Sequence, residues 1–236
     1  MSKPYLMEEH AIFRRTFQKF LEKEAAPYFL QWEEAKQVPK EFWKKAGQQG
    51  FLCPWADEKY GGSNADFGYS VVIIEELDNI GGGIGIGLHN DIVMPYVDEF
   101  GTEEQKQKWL PKAVSGDMIS AIAMTEPGTG SDLASVKTTA VKKGDHYVIN
   151  GEKTFITNGY SADFVIVVCV TDPNAVPKHK GISLIVVEEG TPGFKKGKKL
   201  KKIGQHANDT AELIFEDAFV PAENLLGKEG HGFYYL

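Results

Sequence analysis

Residues 125–132 read Thr-Glu-Pro-Gly-Thr-Gly-Ser-Asp and gather hydroxyl groups and glycines in one short segment. The segment directly follows a predicted strand. A loop of this kind can point backbone N–H groups at an anion or at a ring oxygen. A surface turn has the same composition, so the residue types alone leave a binding loop and a simple turn as alternatives.

A second glycine-rich stretch, residues 81–87, reads Gly-Gly-Gly-Ile-Gly-Ile-Gly. It does not satisfy the GxGxxG spacing of a dinucleotide-binding loop in any register, and predicted helices flank it on both sides. The sequence therefore favours a flexible connection between two helices over a phosphate-binding loop.

Metal and nucleic-acid chemistry find no support in the sequence. The six histidines show neither an HxH nor an HExxH spacing, and Cys53 and Cys169 are far apart, so no metal site is predicted. Both cysteines are expected to be small core residues in a reducing compartment. The net charge of −7 argues against a general nucleic-acid binder, which needs a basic face.

No membrane span is predicted, because no apolar run reaches the ~18 residues that one requires. No secretory signal is visible at the amino terminus either. We therefore expect a soluble intracellular protein. It would be cytoplasmic in a bacterium, or in the mitochondrial matrix if a transit peptide has been removed.

The first half of the chain shows the 3.6-residue periodicity of helices. Aromatic and aliphatic residues recur at helical spacing in the following predicted helices: about Met7 to the Trp32 region, a short one ending near Gly50, 69–78, 92–100 and 103–114. Gly101 and Thr102 separate the last two as a stop and an N-cap. This pattern predicts an all-α amino-terminal domain over residues 1–118.

The periodicity changes to that of strands near Ser120. Short β-branched or alternating runs predict the following strands: 120–124, 146–150, 153–157, 164–170, 182–188 and 211–220. Asn150-Gly151 between two of them predicts a hairpin turn. The fold class is thus α+β, with an antiparallel, β-barrel-like middle domain over 119–225. Residues 226–236 are expected to begin a carboxy-terminal helical domain that is absent from this chain.

Three separated motifs identify a family resemblance. Residues 123–132, 150–159 and 209–217 occur in the same order as motifs of the acyl-CoA dehydrogenases, and the first resembles their flavin-binding signature. The stretch from residue 181 to 235 is most similar to the long-chain subgroup. The resemblance covers essentially the whole chain and implies FAD as cofactor.

The resemblance assigns roles to individual residues. The cofactor-binding residues it implies are Ile122, Ala123, Met124, Thr125, Glu126, Pro127, Gly128, Thr129, Gly130, Ser131, Phe155, Ile156 and Thr157. Main-chain groups near Met124, with the Thr125 hydroxyl, would contact the pyrimidine side of the flavin, and Thr157 would lie near N5. Many family members have Trp where this chain has Phe155, and without the resemblance Phe155 would be assigned to the core.

The resemblance also implies a substrate site. Ser131 would touch the thioester as well as the flavin, whereas His179 and Lys180 match a loop that contacts CoA. Tyr234 matches a substrate-contacting position. For His179, Lys180 and Tyr234, a solvated surface is an equally good interpretation. A lysine run over residues 195–202 could attract CoA phosphates, although such runs are more often solvated faces.

The activity implied is FAD-dependent dehydrogenation of acyl-CoA thioesters to trans-2-enoyl-CoA in fatty acid β-oxidation, with electrons passed to an electron-transferring flavoprotein. Members of the family form homotetramers. Their base is a carboxylate of the carboxy-terminal domain, so no catalytic residue is assigned within residues 1–236, and the chain alone is expected to be inactive. The alternatives are an acyl-CoA oxidase, in which O₂ is the oxidant, and a non-catalytic CoA- or flavin-binding module.

Overall fold

The computed structural model describes residues 6–236, so the first five residues of the predicted helical domain lie outside the described residues. The helices of the first half are α1 Glu8–Glu24, α2 Phe29–Ala35, α3 Lys40–Gln48, α4 Phe67–Asn79, α5 Ile86–Leu88, α6 Met94–Phe100 and α7 Glu103–Val114. They confirm the predicted helical region. Within the described residues, no helix is long and apolar enough to cross a membrane.

Aromatic residues at helical spacing build the core of this half. Phe17 and Leu21 of α1 are buried and pack with Phe51 and with Ile73 of α4. The rings of Phe17 and Phe51 lie 4.7 Å apart, a favourable tilted arrangement. The predicted N-cap Thr102 is confirmed, since its hydroxyl accepts a hydrogen bond from the Gln105 amide and the Gln105 side chain accepts one from the Thr102 amide.

The helix predicted over 92–100 begins earlier and contains an irregular turn. Between α5 and α6 lies a π-helical turn, His89–Val93. The Asn90 side chain leaves the helix there to accept a hydrogen bond from the Cys53 amide and to donate one to the Phe51 carbonyl. These long-range contacts explain why periodicity alone does not place the start of the helix.

The second half is a single sheet. Its strands are β1 Ser120–Ala123, β2 Thr139–Lys143, β3 His146–Thr157, β4 Phe164–Val170, β5 Ile182–Glu188, β6 Phe194–Lys199, β7 Thr210–Pro221 and β8 Leu225–Leu226. The sheet order is β6-β7-β3-β2-β4-β5-β8, and β1 pairs with β4. Most pairs are antiparallel, as predicted, but β1 runs parallel to β4. The predicted succession of a helical region and a β domain is confirmed.

Both faces of β4 are buried, which explains its continuous apolar sequence. Ile166 and Val168 face the helices and pack with Trp109 of α7, whereas Val165 and Val167 point into the interior formed by the other strands. β5 is buried in the same way, and the bounds of both strands agree with the prediction. This pair of strands is the shared wall between the two cores.

The prediction of a hairpin turn at Asn150-Gly151 is wrong. β3 runs straight through both residues, and a bulge against β7 occurs at this point. The Asn150 side chain exchanges hydrogen bonds with Asp217 of β7, at 2.9 Å and 3.0 Å. A Cβ on Gly151 would lie 2.5 Å from the Thr138 hydroxyl oxygen, so the glycine is required for a close approach and not for a turn. The hairpin lies instead at Gly144, where φ is 64°.

Three strands are not predicted by the sequence patterns: β2, β6 and the two-residue β8. β2 has no continuous apolar face, because one side of it is solvent-exposed. β6 carries the lysine run and forms one end of the sheet. Lysines are common on edge strands because they oppose pairing with another chain. After β7 the chain makes a short turn at Ala222–Asn224 and reaches a final helix, α8 Gly232–Tyr235.

Candidate cofactor and substrate site

The loop that follows β1 is held in one conformation by its own backbone. Ile122 and Ala123 are buried in the strand, and the loop leaves the sheet at Met124. The Glu126 amide donates to the Thr129 carbonyl at 2.9 Å, and the Thr129 amide donates to the Glu126 carbonyl at 3.1 Å. The Thr129 hydroxyl donates to the Ser135 carbonyl at 3.1 Å. The turn is therefore closed on itself.

A buried ion pair fastens this loop to β3. The Lys153 ammonium donates to a carboxylate oxygen of Glu126 at 2.9 Å and to the Met124 carbonyl at 3.0 Å. The Lys153 side chain is 0% exposed, and that of Glu126 is 6% exposed. Glu126 also accepts hydrogen bonds from the backbone amides of Lys137 and Thr138, at 2.7 Å and 2.9 Å. All these groups are hydrogen-bonded, as a buried charge requires.

The electrostatics of this pair define what Glu126 can do. Burial alone raises the pKa of Glu126, but the hydrogen bonds from Lys153 and Thr138 outweigh it and leave the pKa below its usual value. Burial lowers the pKa of Lys153, and the carboxylate of Glu126 opposes that shift. A carboxylate with a lowered pKa and occupied oxygens is a poor proton acceptor. Glu126 is thus a structural anchor and not a general base.

The second segment predicted to bind the cofactor lies against the first. The Thr154 amide donates to the Thr125 carbonyl at 2.9 Å. Next along β3, Phe155 has a φ of 59° and its side chain is 68% exposed, while Ile156 is buried and Thr157 is half-buried. The interpretation of Phe155 as a core residue is therefore wrong, because a bulge against β7 turns its ring outward. A non-glycine residue with positive φ is strained and often marks a functional position.

The tip of the first loop is open. Pro127, Gly128, Gly130 and Ser131 are exposed, and a Cβ added to either glycine would find no atom within 4 Å. The packing of the described residues thus leaves free space at both glycines.

These features fit a flavin, which needs a flat surface with N–H donors at its edge. Within residues 6–236, no protein group accepts a hydrogen bond from the Thr125 amide. The exposed ring of Phe155, one residue beyond the contact between the two segments, can cover a planar ligand.

The predicted substrate residues form a second group. His179 Nε2 and the Tyr234 hydroxyl are 3.0 Å apart, and the His179 ring also packs against Phe233, with centroids 5.1 Å apart. Residues 55 positions apart in sequence are thereby brought together. The turn Lys178–Gly181 that carries His179 and exposed Lys180 contacts the turn Leu133–Ser135, which follows Ser131. The structure thus brings His179 and Tyr234 together and places the turn of His179 and Lys180 beside the turn that follows Ser131.

The lysine run is largely occupied by protein partners. Lys195 pairs with Glu216 and Lys196 with Glu189, both at 2.6 Å. Lys199 donates to the Gln37 side chain at 2.7 Å. These contacts favour a solvated, ion-paired edge strand over a site for CoA phosphates.

The other glycine-rich stretch has a packing explanation. A Cβ on Gly85 would lie 1.8 Å from the Asn158 side-chain oxygen. The Asn158 amide group donates to the Gly85 carbonyl at 3.0 Å and to the Ser120 carbonyl at 3.3 Å. Gly81, Gly82 and Gly83 all have positive φ. The stretch brings the backbone of the helical half against the Asn158 side chain, directly after the end of β3.

Comparison with known protein families agrees with this arrangement. Residues 7–117 match the model "Acyl-CoA dehydrogenase, N-terminal domain", and residues 121–218 match "Acyl-CoA dehydrogenase, middle domain". The chain belongs to the acyl-CoA dehydrogenase family. The boundary between the two matches falls between α7 and β1.

Individual acyl-CoA dehydrogenases show the same relationship. The long-chain specific acyl-CoA dehydrogenase of Rattus norvegicus mitochondria is 50% identical over 97% of this chain and 53% of its own length. A crystal structure of an acyl-CoA dehydrogenase from Geobacillus kaustophilus is 65% identical, with a TM-score of 0.98 over 99% of this chain and 62% of that one. The chain thus spans only about half to three fifths of these relatives.

A third relative bears on the cofactor. The acyl-CoA dehydrogenase of Bacillus anthracis, solved as a complex with FAD, is 36% identical, with a TM-score of 0.90 over the whole of this chain and 40% of that one.

Within residues 6–236, no group of three or more His, Cys, Asp or Glu side chains could hold a metal ion.

Lys153 is the residue of the site that sequence reasoning missed. Its position in an alternating strand, next to an exposed Glu152 and a partly apolar run, gives no sign of a partner 27 residues away. The family resemblance places Glu126 in the cofactor loop, but its hydrogen bonds with Lys153 and with two backbone amides depend on the folded register.

Proposed function

We propose that the protein containing this chain is a flavoprotein that uses FAD to oxidise acyl-CoA thioesters to trans-2-enoyl-CoA. The observation that supports this most directly is the hydrogen bond between Thr154 and Thr125, which joins two motifs of the flavin signature. Beside that bond lie the Thr125 amide, which has no acceptor among residues 6–236, and an exposed, strained aromatic residue, Phe155. Neither feature improves the stability of the chain by itself.

The residues of the two segments have distinct roles in this proposal. The amide and hydroxyl of Thr125, with main-chain groups of residues 122–131, would bind the pyrimidine side of the flavin. The ring of Phe155 would shield a bound flavin from water, and the Thr157 hydroxyl would lie near N5. When bound, FAD supplies the acceptor for the hydride from the substrate β-carbon. Donors that face the flavin stabilise the charge that it gains.

The substrate is held on the neighbouring surface. His179 and Lys180 would contact the CoA portion, Tyr234 would contact the substrate beside them, and Ser131 would touch the thioester as well as the flavin. We infer that the α-proton goes to a carboxylate of a carboxy-terminal domain; Glu126 is a poor candidate, because its pKa is lowered and its oxygens are occupied. An electron-transferring flavoprotein then receives the electrons, and the complete protein assembles as a homotetramer.

The test is an anaerobic titration of the full-length protein as its gene encodes it. We expect a yellow preparation whose flavin absorbance is bleached by octanoyl- or palmitoyl-CoA and recovers only slowly in air. Rapid recovery in air would identify an acyl-CoA oxidase instead. A flavin that no acyl-CoA reduces, or a preparation that cannot be loaded with FAD, would support the non-catalytic module and contradict the proposal.

The substrate surface has its own test. Tyr234→Phe removes the hydroxyl that meets His179, and we expect a higher KM for acyl-CoA with a nearly unchanged kcat. Tyr28→Phe is the matched control, since both tyrosines are exposed: Tyr28 is 46% exposed and Tyr234 is 60% exposed. Equal KM values in the two variants would remove the His179–Tyr234 pair from the substrate site.

A further inference from the structure

The peptide unit between Met124 and Thr125 is polarised from one side. Its carbonyl accepts a hydrogen bond from the Lys153 ammonium at 3.0 Å. Its N–H, the Thr125 amide, has no acceptor among residues 6–236. The following peptide differs, because the Thr125 carbonyl accepts from the Thr154 amide and the Glu126 amide donates to the Thr129 carbonyl.

Two interactions fix the Lys153 charge at this place. The Lys153 ammonium lies between the Met124 carbonyl and the Glu126 carboxylate, and solvent does not reach it. The amides of Lys137 and Thr138 hold Glu126 in turn. A simple loop anchor needs only neutral hydrogen bonds. Here an ammonium group lies 3.0 Å from the carbonyl oxygen of a peptide whose N–H has no acceptor within residues 6–236.

A cation at a carbonyl oxygen strengthens hydrogen bonding by the N–H of the same peptide, because hydrogen bonds in a chain polarise one another. The low dielectric of a buried site increases the effect. The carboxylate of Glu126 works in the opposite direction, since it compensates the charge of Lys153. The two side chains therefore have opposing effects on the Thr125 amide.

We propose that Lys153 and Glu126 are positioning residues that set the donor strength of the Thr125 amide and, through it, the reduction potential of the flavin. The inference rests on the proposed function, because it requires a flavin at this loop. This role needs no contact of either side chain with the flavin or the substrate, because both act through the peptide of Thr125. Lys153 favours the reduced flavin, and Glu126 limits that preference.

The sign of the potential shift separates this role from a purely structural one. Lys153→Met removes the cation and should make flavin reduction less favourable by about tenfold in its equilibrium constant, about 30 mV for a two-electron couple. At a pH low enough for Lys153 to keep its proton, Glu126→Gln leaves the cation uncompensated and should shift the potential upward. Lys153→Arg keeps the charge and should restore a value near that of the wild type. A loop that is only anchored by the pair would give no opposite shifts.

The measurement is the equilibrium potential of the full-length protein with FAD bound, against a reference dye. Lys195→Met is the matched control, because it removes an exposed lysine that also pairs with a glutamate, Glu216, and it should leave the potential unchanged. If Lys153→Met does not fold, the direction of the Glu126→Gln shift decides, and a downward or absent shift overturns the inference.

The remaining outcomes are equally distinct. Shifts of the same sign in Lys153→Met and Glu126→Gln, with FAD bound in both, overturn this inference and leave the proposed function intact. A wild-type protein that takes up no FAD overturns the proposed function and this inference with it.

Discussion

His89 lies at the junction of the two halves and makes the stability of the fold sensitive to acid. The side chain is completely buried. Its Nδ1 accepts from the Ser120 amide at 3.2 Å and faces the Ser120 hydroxyl at 2.8 Å, while Nε2 donates to the Ala113 carbonyl at 3.2 Å. This set of partners fits a neutral ring protonated on Nε2. A proton on Nδ1 would face the N–H of Ser120.

Burial lowers the pKa of His89 from 6.5 to about 4. The unfolded chain consequently binds the proton more tightly than the folded one, so acid favours unfolding. The stabilisation is fully present above about pH 6.5 and is lost as the pH falls towards 4. The whole shift corresponds to about 3 kcal/mol, and the part that falls between about pH 7 and about pH 5 is about 2 kcal/mol.

The assay compares urea-induced unfolding of the full-length wild type and of His89→Gln across this pH interval. The glutamine side chain offers one acceptor and one donor group but does not titrate, so the advantage of the wild type should shrink by about 2 kcal/mol on acidification. His206→Gln, at a half-buried histidine, controls for the replacement itself. A difference between wild type and His89→Gln that stays constant with pH would refute the reasoning, since His89 would then titrate alike in both states.

Three further outcomes are expected. Thr157→Val should slow flavin reduction by about 100-fold with little loss of bound flavin, because it removes a donor near the site of hydride transfer. Stopped-flow kinetics measure the reduction rate, and a flavin-retention assay measures the bound flavin. Loss of flavin with an unchanged reduction rate would contradict this prediction. Gly85→Ala should lower the free energy of unfolding by about 1–3 kcal/mol, because its methyl group would collide with Asn158. Gly128→Ala is the control, since its methyl group would enter open space, and it should leave the free energy of unfolding almost unchanged. Equal losses of stability in the two variants would argue against the contact. The 236-residue chain expressed alone should bind FAD weakly and show no dehydrogenation; bleaching by acyl-CoA at a rate near that of the full-length protein would place a base within it.

Much of the fold follows from local sequence patterns. The helix α7 with its N-cap Thr102, and the strands β4 and β5, have the bounds that the sequence predicts. In each case the periodicity of buried residues and the capping chemistry lie within the element itself. The motifs around residues 123–132 and 150–159 likewise identify the family without any tertiary information.

Tertiary structure decided the conformation wherever a residue's partner lies elsewhere in the chain. Gly151 has the residue type of a turn, yet its pairing with Phe215 of β7 keeps it inside β3. Phe155 has the residue type of a core position, yet a bulge against β7 exposes it. A residue's own conformational preferences do not specify which strand will lie beside it. The local sequence therefore predicts neither the strand conformation of Gly151 nor the exposure of Phe155.

The candidate site divides in the same way. Its residue types were determined by the sequence, which placed the hydroxyls, glycines and aromatic ring in recognisable order. Their chemistry was decided by the fold, because only the register of β3 against the first loop brings the Lys153 ammonium to Glu126 and only the turn before β5 brings His179 to Tyr234. A charge acts on its neighbours in space, and the linear sequence does not contain those distances.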